Sequence, residues 1–418
     1  TSCVEVRAPD GTLIVLDCGT GAHDLGQALM ASGQPVRGHL LITHTHWDHI
    51  QGFPFFAPLF VPGNEWDVYA PSGLGRRLEV TLAGQMEYTY FPVTLEQLGA
   101  TIRYHEIMEG VFDLGSVRIT ARYLNHPAIA LGYRLEVGGV ALVYATDHEP
   151  HAPPGDAARG EAAHLEDQRH REFLAGADMV IHDSQYTLQE YPQKVGWGHS
   201  PAEYVADVAA AAGVRRLALY HHDPLRDDES LDRLVAVCQE RVSAAGRSTE
   251  VFGAAEGQVI DLTPREKVSP RGAPTAKVAM DASGVRQAVV LVVDDDDDTV
   301  NVLTMTLWTE GFQVLSASNG NAALEIARAS RPDLMLLDWM LPGRDGLEVC
   351  RELRADADPH LRDLPVVLLT GHAGDDNAAI VFAAGVTDYV TKPFSPAYIR
   401  SRVHTWLLRR RAGSIGGA

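Results

Sequence analysis

The apolar run Leu40-Leu41-Ile42 passes without a break into Thr43-His44-Thr45-His46-Trp47-Asp48-His49. The run reads as a buried strand, and loops at strand ends are where a rigid scaffold presents its chemistry. The fold must therefore bury this strand and leave the loop after it open to a cavity. Neutral imidazoles and a carboxylate at such density suit zinc or a similar first-row divalent ion. The alternating His44 and His46 project to one side, while Asp48 and His49 reach a second position nearby. Two metals are expected. A solvated, His-rich turn would account for one His pair, but not for four ligands at a strand end.

The pattern His-x-His-x-Asp-His resembles the signature of the metallo-β-lactamase superfamily. The resemblance implies an αββα sandwich and a site completed by a distant His, an Asp and a last His, each at a strand end. His126 follows the strand-like run Val117 to Ala121, Asp147 follows Val140 to Tyr144, and His221 ends Leu217-Ala218-Leu219-Tyr220. His222 is the alternative last ligand, and the family's strand-plus-His ending favours His221. On this comparison His44, His46 and His126 would hold one metal, Asp48, His49 and His221 the other, and Asp147 would bridge them. Zinc, manganese and iron all suit these ligands. Asp17, in Leu16-Asp17-Cys18-Gly19, would orient a ligating imidazole rather than ligate. Paired divalent ions stabilise charge on attacking and leaving oxygens, so the chemistry expected is hydrolytic, with Asp48 counted among the catalytic residues.

At 418 residues the chain is too long for one ordinary core. No apolar run approaches the ~20 residues that span a bilayer. Four cysteines (Cys3, Cys18, Cys238, Cys350) form no CxxC pair and read as reduced thiols, so a cytoplasmic, multi-domain enzyme is expected. The net charge of −20 argues against a surface that coats nucleic acid. Thr1 to Leu16 reads as a hairpin turning at Asp10-Gly11. No Met precedes it, and part of the natural N-terminus is expected to be missing from a hydrolase domain over 1–262.

Residues 263–287, with three prolines and little periodicity, read as a linker. Beyond them the pattern alternates strands and helices, which implies a parallel, doubly wound sheet. Strand-like runs end at Asp294-Asp295, Asp338, Thr370 and near Lys392. This segment, 288–411, resembles the response-regulator receiver domain, a flavodoxin-like fold with a parallel five-stranded sheet. The resemblance implies Mg²⁺ held by Asp294, Asp295, Asp338 and the carbonyl of Met340. Asp338 would accept the phosphoryl group, Thr370 and Lys392 would contact it, and Tyr389 would be the switch aromatic. Its partner would be a sensor histidine kinase or phosphotransfer protein. Asp296 to Asp298 read either as a solvated charge run or as part of the site. Arg409-Arg410-Arg411 reads as a basic helix end, and 412–418 as a disordered tail. No output module follows, so phosphorylation is expected to act on the hydrolase domain, a partner or homodimerisation.

Ile181-His182-Asp183-Ser184-Gln185-Tyr186 and Gly196-Trp197-Gly198-His199-Ser200 resemble motifs of the transfer-RNA 3′-processing nucleases and related phosphodiesterases. The resemblance makes Asp183 and His199 a pair that donates a proton to the leaving oxygen. Ser200-Pro201-Ala202-Glu203 reads as a capping box, with Ser200 as N-cap, which would fix His199 beside a helix N-terminus. No basic, Gly-rich insertion offers an RNA-gripping arm, so a small or cyclic nucleotide-type phosphodiester is the expected substrate. A thioester or lactone hydrolase, or a non-catalytic metal-binding adaptor, are the alternatives. The aromatic stretch Phe53 to Phe60, with Trp66, reads equally as pocket wall or core.

Overall fold

The computed structural model describes residues 2–71, 77–151, 165–264 and 288–371, together with 381, 384–392, 394, 399, 402, 403, 406 and 407. The expected linker from 265 onward, Arg409–Arg411 and the tail 412–418 lie outside the described residues. The chain divides into two compact units, Thr1–Met280 and Asp281–Ala418.

The first unit opens with the expected hairpin, β1 (Val4–Arg7) antiparallel to β2 (Leu13–Leu16). Strands β3 (Arg37–Leu41), β4 (Glu65–Pro71) and β5 (Thr101–Ile107) then add in parallel, in the order β1-β2-β3-β4-β5. A second sheet begins as an antiparallel meander of β6 (Gly110–Leu114), β7 (Val117–Tyr123), β8 (Leu131–Val137) and β9 (Val140–Ala145). It continues in parallel through β10 (Met179–Asp183), β11 (Arg216–Tyr220) and β12 (Glu250–Gly253).

Period-two alternation explains the layering. In β2, Ile14 and Leu16 face a core shared with Ile119, Tyr133, Tyr144 and Ile181 of the second sheet. Leu13 and Val15 face the other way, toward Ala22 and Leu29 of the helix Ala22–Met30 and toward Phe53, Phe56 and Trp66. Because both faces of β2 are buried, Leu13–Leu16 is apolar without interruption. On the far side Val143, Val180, Leu217 and Leu219 pack on the helices Ala202–Ala211 and Asp228–Ala244. The result is four layers, αββα. Phe53, Phe56 and Trp66 are core, which settles that half of the aromatic stretch, whereas Phe55 is exposed.

The second unit is a parallel five-stranded sheet in the order β14-β13-β15-β16-β17: β13 (Val289–Val293), β14 (Gln313–Ala317), β15 (Leu334–Asp338), β16 (Val366–Thr370) and β17 (Asp388–Thr391). Leu303 and Leu307 of the helix Asp297–Thr309 cover one face. Ala323, Ala327, Val349 and Leu353 cover the other. Asp296 caps that first helix, accepting from the Asp298 and Thr299 amides, and Asp297 and Asp298 lie in its first turn, where the helix dipole favours negative charge. All three are exposed and none joins the cluster of Asp294, Asp295 and Asp338, as a solvated charge run would be, with capping of the helix as their local role. No described helix is long and apolar enough to cross a membrane.

Candidate metal centre and receiver acid cluster

Strand ends of both sheets bring the predicted ligands of the first unit together. β3 leads through Ile42 and Thr43 into His44, and the short helix Trp47–Ile50 follows, with His46 at its N-cap. His126 lies beyond β7, Asp147 beyond β9 and His221 directly after β11. Two groups result: His44, His46, His126 and Asp147, and Asp48, His49, Asp147 and His221, with ligand atoms in each within 4.8 Å of one another. Asp147 belongs to both. Its Oδ2 lies 3.5 Å from His44 Nε2 and 3.8 Å from His126 Nε2. Its Oδ1 lies 3.2 Å from His49 Nε2 and 3.4 Å from His221 Nε2. Asp48 Oδ2 stands 3.1 Å from His49 Nε2 and 3.0 Å from His221 Nε2. His221, not His222, is therefore the histidine in the cluster.

The donor set fits divalent ions on its own chemistry. His126 Nδ1 donates to the Gly198 carbonyl at 3.0 Å, which leaves Nε2 as a bare acceptor, yet that Nε2 faces His46 Nδ1 at 3.1 Å. His44 Nε2 and His49 Nε2 are buried and make no bond of hydrogen-bond geometry, although carboxylate oxygens of Asp147 and Asp48 stand 3.1 to 3.5 Å away. Unpaired buried polar atoms cost about 1–3 kcal/mol each, and a cation at the point where they converge removes that cost. Burial holds His44 well below the usual imidazole range and brings His126 down to about 3, so both stay neutral, as ligands must be. At His49 and His221 burial opposes charge, but the carboxylates around them, Asp147 foremost with Asp17 at His49 and Asp48 at His221, outweigh it and raise both.

Asp17 holds the second group in place. It accepts from His49 Nδ1 at 2.8 Å, the Thr43 amide at 2.7 Å and the Tyr144 hydroxyl at 2.9 Å. Asp17, Asp147 and His221 all adopt left-handed backbone, at φ 59°, 54° and 55°. Among the described non-glycine residues with positive φ, only Arg331, at a helix C-cap, lies elsewhere. Such strain, about 1–2 kcal/mol per residue, collects at functional sites.

His199 stands beside this centre, its ring stacked on His221 at 5.0 Å and edge-on to His126 at 5.4 Å. Its Nδ1 meets Asp183 Oδ2 at 3.1 Å. Burial opposes a charge on His199, but Asp183 prevails and lifts it to about 9. Asp183 is itself saturated, accepting also from the His148, Ser200 and Gln185 amides.

The capping box at Ser200 does not form. The helix starts at Ala202, after Pro201, with no side-chain cap. Ser200 Oγ donates to the His148 carbonyl, and Glu203 accepts from the Leu188 amide. His199 is fixed instead by Asp183 and by Glu149, which sequence reasoning missed. Glu149 accepts from the Tyr191 hydroxyl at 3.0 Å and from the Gly196 and Gly198 amides at 2.6 and 2.8 Å. Asn125 ties the His126 loop to the same segment, its Nδ2 donating to the Glu149 carbonyl at 2.8 Å. Gly198 is required here: at φ +87°, a Cβ would lie 2.2 Å from His126 Nδ1. The Gly-x-Gly spacing before His199 was the available signal.

In the second unit, carboxylate oxygens of Asp294, Asp295 and Asp338 lie within 4.8 Å of one another at the ends of β13 and β15. Lys392 Nζ reaches Asp294 Oδ2 at 2.7 Å and Asp338 Oδ1 at 3.1 Å. Burial raises the Asp338 pKa against the pull of Lys392. Thr370 ends β16, where its carbonyl accepts from the Lys392 amide. Tyr389 in β17 packs on the core, and Met340 is exposed in the loop after β15.

Comparison with known proteins adds the following. The family model of the beta-lactamase superfamily domain matches residues 12–222, half of the chain, and that of the response regulator receiver domain matches 290–404. The DNA-binding response regulator MtrA of Mycolicibacterium smegmatis is 42% identical over 120 residues, 29% of this chain and 50% of that protein. MtrA of Mycobacterium tuberculosis gives the same identity and coverage. The chain thus spans about half the length of the curated relatives it matches. Among solved structures, a response regulator from Chloroflexus aurantiacus is 34% identical, with TM-score 0.28, covering 29% of this chain and 98% of that one. The metallo-beta-lactamase fold protein YhfI from Bacillus subtilis is 17% identical, with TM-score 0.44, covering 62% and 90%. With the four-layer sandwich and His-x-His-x-Asp-His loop of its first unit and the parallel five-stranded sheet of its second, the chain belongs to the beta-lactamase superfamily and carries a response regulator receiver domain.

Proposed function

We propose that the first unit is a dinuclear-metal phosphodiesterase acting on a small or cyclic nucleotide-type diester, under control of the receiver. One observation carries the choice of phosphodiester: the Asp183–His199 pair stands against His221 and His126, beside both ligand groups. Two divalent ions, zinc foremost, would be held by His44, His46 and His126, and by Asp48, His49 and His221, with Asp147 between them. Bound there, they would supply an activated water and neutralise charge on the phosphoryl oxygens. The protein's own part is positional and acid–base. Asp17 fixes the His49 ring, the Gly198 carbonyl fixes the His126 tautomer, and Asp183 holds His199 with Nε2 free. His199 donates its proton to the departing oxygen, a step general acids contribute at roughly 10²–10⁴-fold.

In the receiver, Asp338 takes the phosphoryl group from a histidine kinase or phosphotransfer protein. Asp294, Asp295 and the Met340 carbonyl would hold Mg²⁺, while Lys392 and Thr370 contact the transferred group and Tyr389 reports it. The test is an assay of aryl and cyclic phosphodiesters with metal-loaded protein. His46→Ala should abolish turnover, and His199→Ala should lower kcat by about 10²-fold or more. Unchanged diester cleavage in His199→Ala would remove the leaving-group step. Cleavage of acyl-thioesters but not of diesters would select a thioesterase instead.

A further inference from the structure

Trp47, between the candidate ligands His46 and Asp48 in the chain, opens onto a surface cleft of about 370 Å³. Trp47, Phe55, Tyr90 and Phe91 wall it, with Gln51 and Gln85 among its polar groups. Two segments serve both the cleft and the metal centre, and a third, carrying Gln85, Tyr90 and Phe91, completes the cleft. Trp47 lies in the chain between His46 and Asp48, and Thr20 lies three residues after Asp17. These segments meet at the base of the cleft, where the Gly52 amide donates to the Cys18 carbonyl at 2.8 Å. A Cβ on Gly52 would stand 1.9 Å from the Gly19 carbonyl oxygen, so the approach admits no side chain.

The walls are aromatic and open to water. Trp47 is 70% exposed, Phe55 55% and Tyr90 74%. Phe55 and Phe91 meet edge-on at 5.3 Å and 82°, which stiffens that wall. Clustered exposed rings beside a reactive centre mark a recognition surface rather than ordinary exterior. Among the described residues, no Lys, Arg, Asp or Glu lines the cleft. Its one lining histidine is His23, whose Nδ1 is engaged by Asp24 at 2.9 Å, so the described lining offers no Lys or Arg of the kind a strand of nucleic acid needs to neutralise its phosphates. The Gln85 amide, held by its bond to the Ile50 carbonyl at 3.2 Å, and Gln51 provide neutral polar groups of the kind a heterocycle edge can use.

We propose that this cleft binds an uncharged aromatic ring of the substrate, a nucleobase or an aryl group attached beside the scissile linkage. Trp47 and Tyr90 are the stacking faces and Phe55 the end wall. The assignment rests on the phosphodiesterase reading for its substrate, but the ring-binding surface exists whatever bond is cleaved.

Three p-nitrophenyl phosphodiesters that differ only in the second ester group (methyl, phenyl and thymidine 5′) test it on the metal-loaded full chain. The phenyl or thymidine diester should exceed the methyl diester in kcat/KM by roughly ten- to hundred-fold, the effect of one stacked ring. That ratio should collapse toward one in Trp47→Ala and in Tyr90→Ala, and which of the two ring esters is preferred distinguishes a base from an aryl group. A second readout needs no turnover: thymidine and benzyl alcohol are titrated against the tryptophan emission of wild type and Trp47→Ala. Saturable quenching in the wild type, lost in the variant, supports the cleft even if no diester is hydrolysed, in which case the phosphodiesterase reading alone falls. Equal kcat/KM for all three esters together with no quenching overturns the proposal. So does concentration-dependent self-association that Trp47→Ala abolishes, because the aromatic face would then belong to a second copy of the chain.

Discussion

Asp17 shows how much of the metal centre hangs on single residues. Its carboxylate takes the His49 ring N–H, the Thr43 amide and hydroxyl and the Tyr144 hydroxyl, all without solvent, from a left-handed backbone. Asparagine tolerates that backbone, so Asp17→Asn should fold. Its amide, however, would point an NH₂ group at one of these donors. Metal affinity is expected to fall about 10- to 100-fold, as when the partner of a ligating imidazole is lost, and competition with a chromogenic chelator would measure it. The cysteines make a second prediction at this scale. Burial pushes the Cys3 and Cys238 thiols up to about 12 and raises Cys18 and Cys350 as well. At pH 8.5 an exposed thiol is about half thiolate, whereas these stay protonated. Native protein should react slowly with a disulfide reagent at that pH, and all four thiols should react in urea. Above pH ~8.5 only the unfolded chain has released these protons, so stability is full below that pH and declines as pH rises toward 12.

Among the elements, strands could be read from the sequence and the loops that join their ends could not. The ligands were legible because each apolar run ends in a His or Asp, and a strand carries such an ending to one edge of a sheet. The segment around His199 was misread because Ser200, an ideal cap by type, has a better partner in the His148 carbonyl, 52 residues away. No local pattern reveals that competition. For the same reason Glu149 went unseen: its three donors, Tyr191, Gly196 and Gly198, lie more than 40 residues further along. Those bonds clamp the loop that delivers both His199 and the Gly198 carbonyl. Glu149→Gln keeps size but offers N–H toward N–H at one end of the clamp. Turnover is expected to fall by up to about 100-fold, the cost of misplacing a catalytic group by an ångström. Hydrogen exchange over residues 191–199 should quicken in step. A variant with slow exchange and unchanged kcat would show that the loop holds itself.

At the scale of the whole molecule, the two units present the same physical device, acids and histidines gathered at the ends of strands, with different charge balance. The first gathers several imidazoles around Asp147. The second sets one lysine against three carboxylates, Asp294, Asp295 and Asp338. That imbalance was legible from the acidic ends of two apolar runs, whereas the depth of Asp338 in the fold was not. A buried carboxylate surrounded by like charge attacks a phosphoryl dianion only when cations neutralise both, so phosphorylation should require Mg²⁺ in addition to Lys392. Acetyl phosphate with Mg²⁺ should add one phosphoryl group per chain, detected by intact mass. Asp338→Asn should add none, and chelation should block the wild type. A group of charge near −2 then enters a site that had only one lysine to spare, which is the kind of local change that biases a bistable element. If the receiver governs the hydrolase, labelled protein should differ from unlabelled protein in diester turnover or in sedimentation, and Asp338→Asn should show neither difference. Full labelling at Asp338 with turnover and sedimentation both unmoved would leave the two units joined by chain alone.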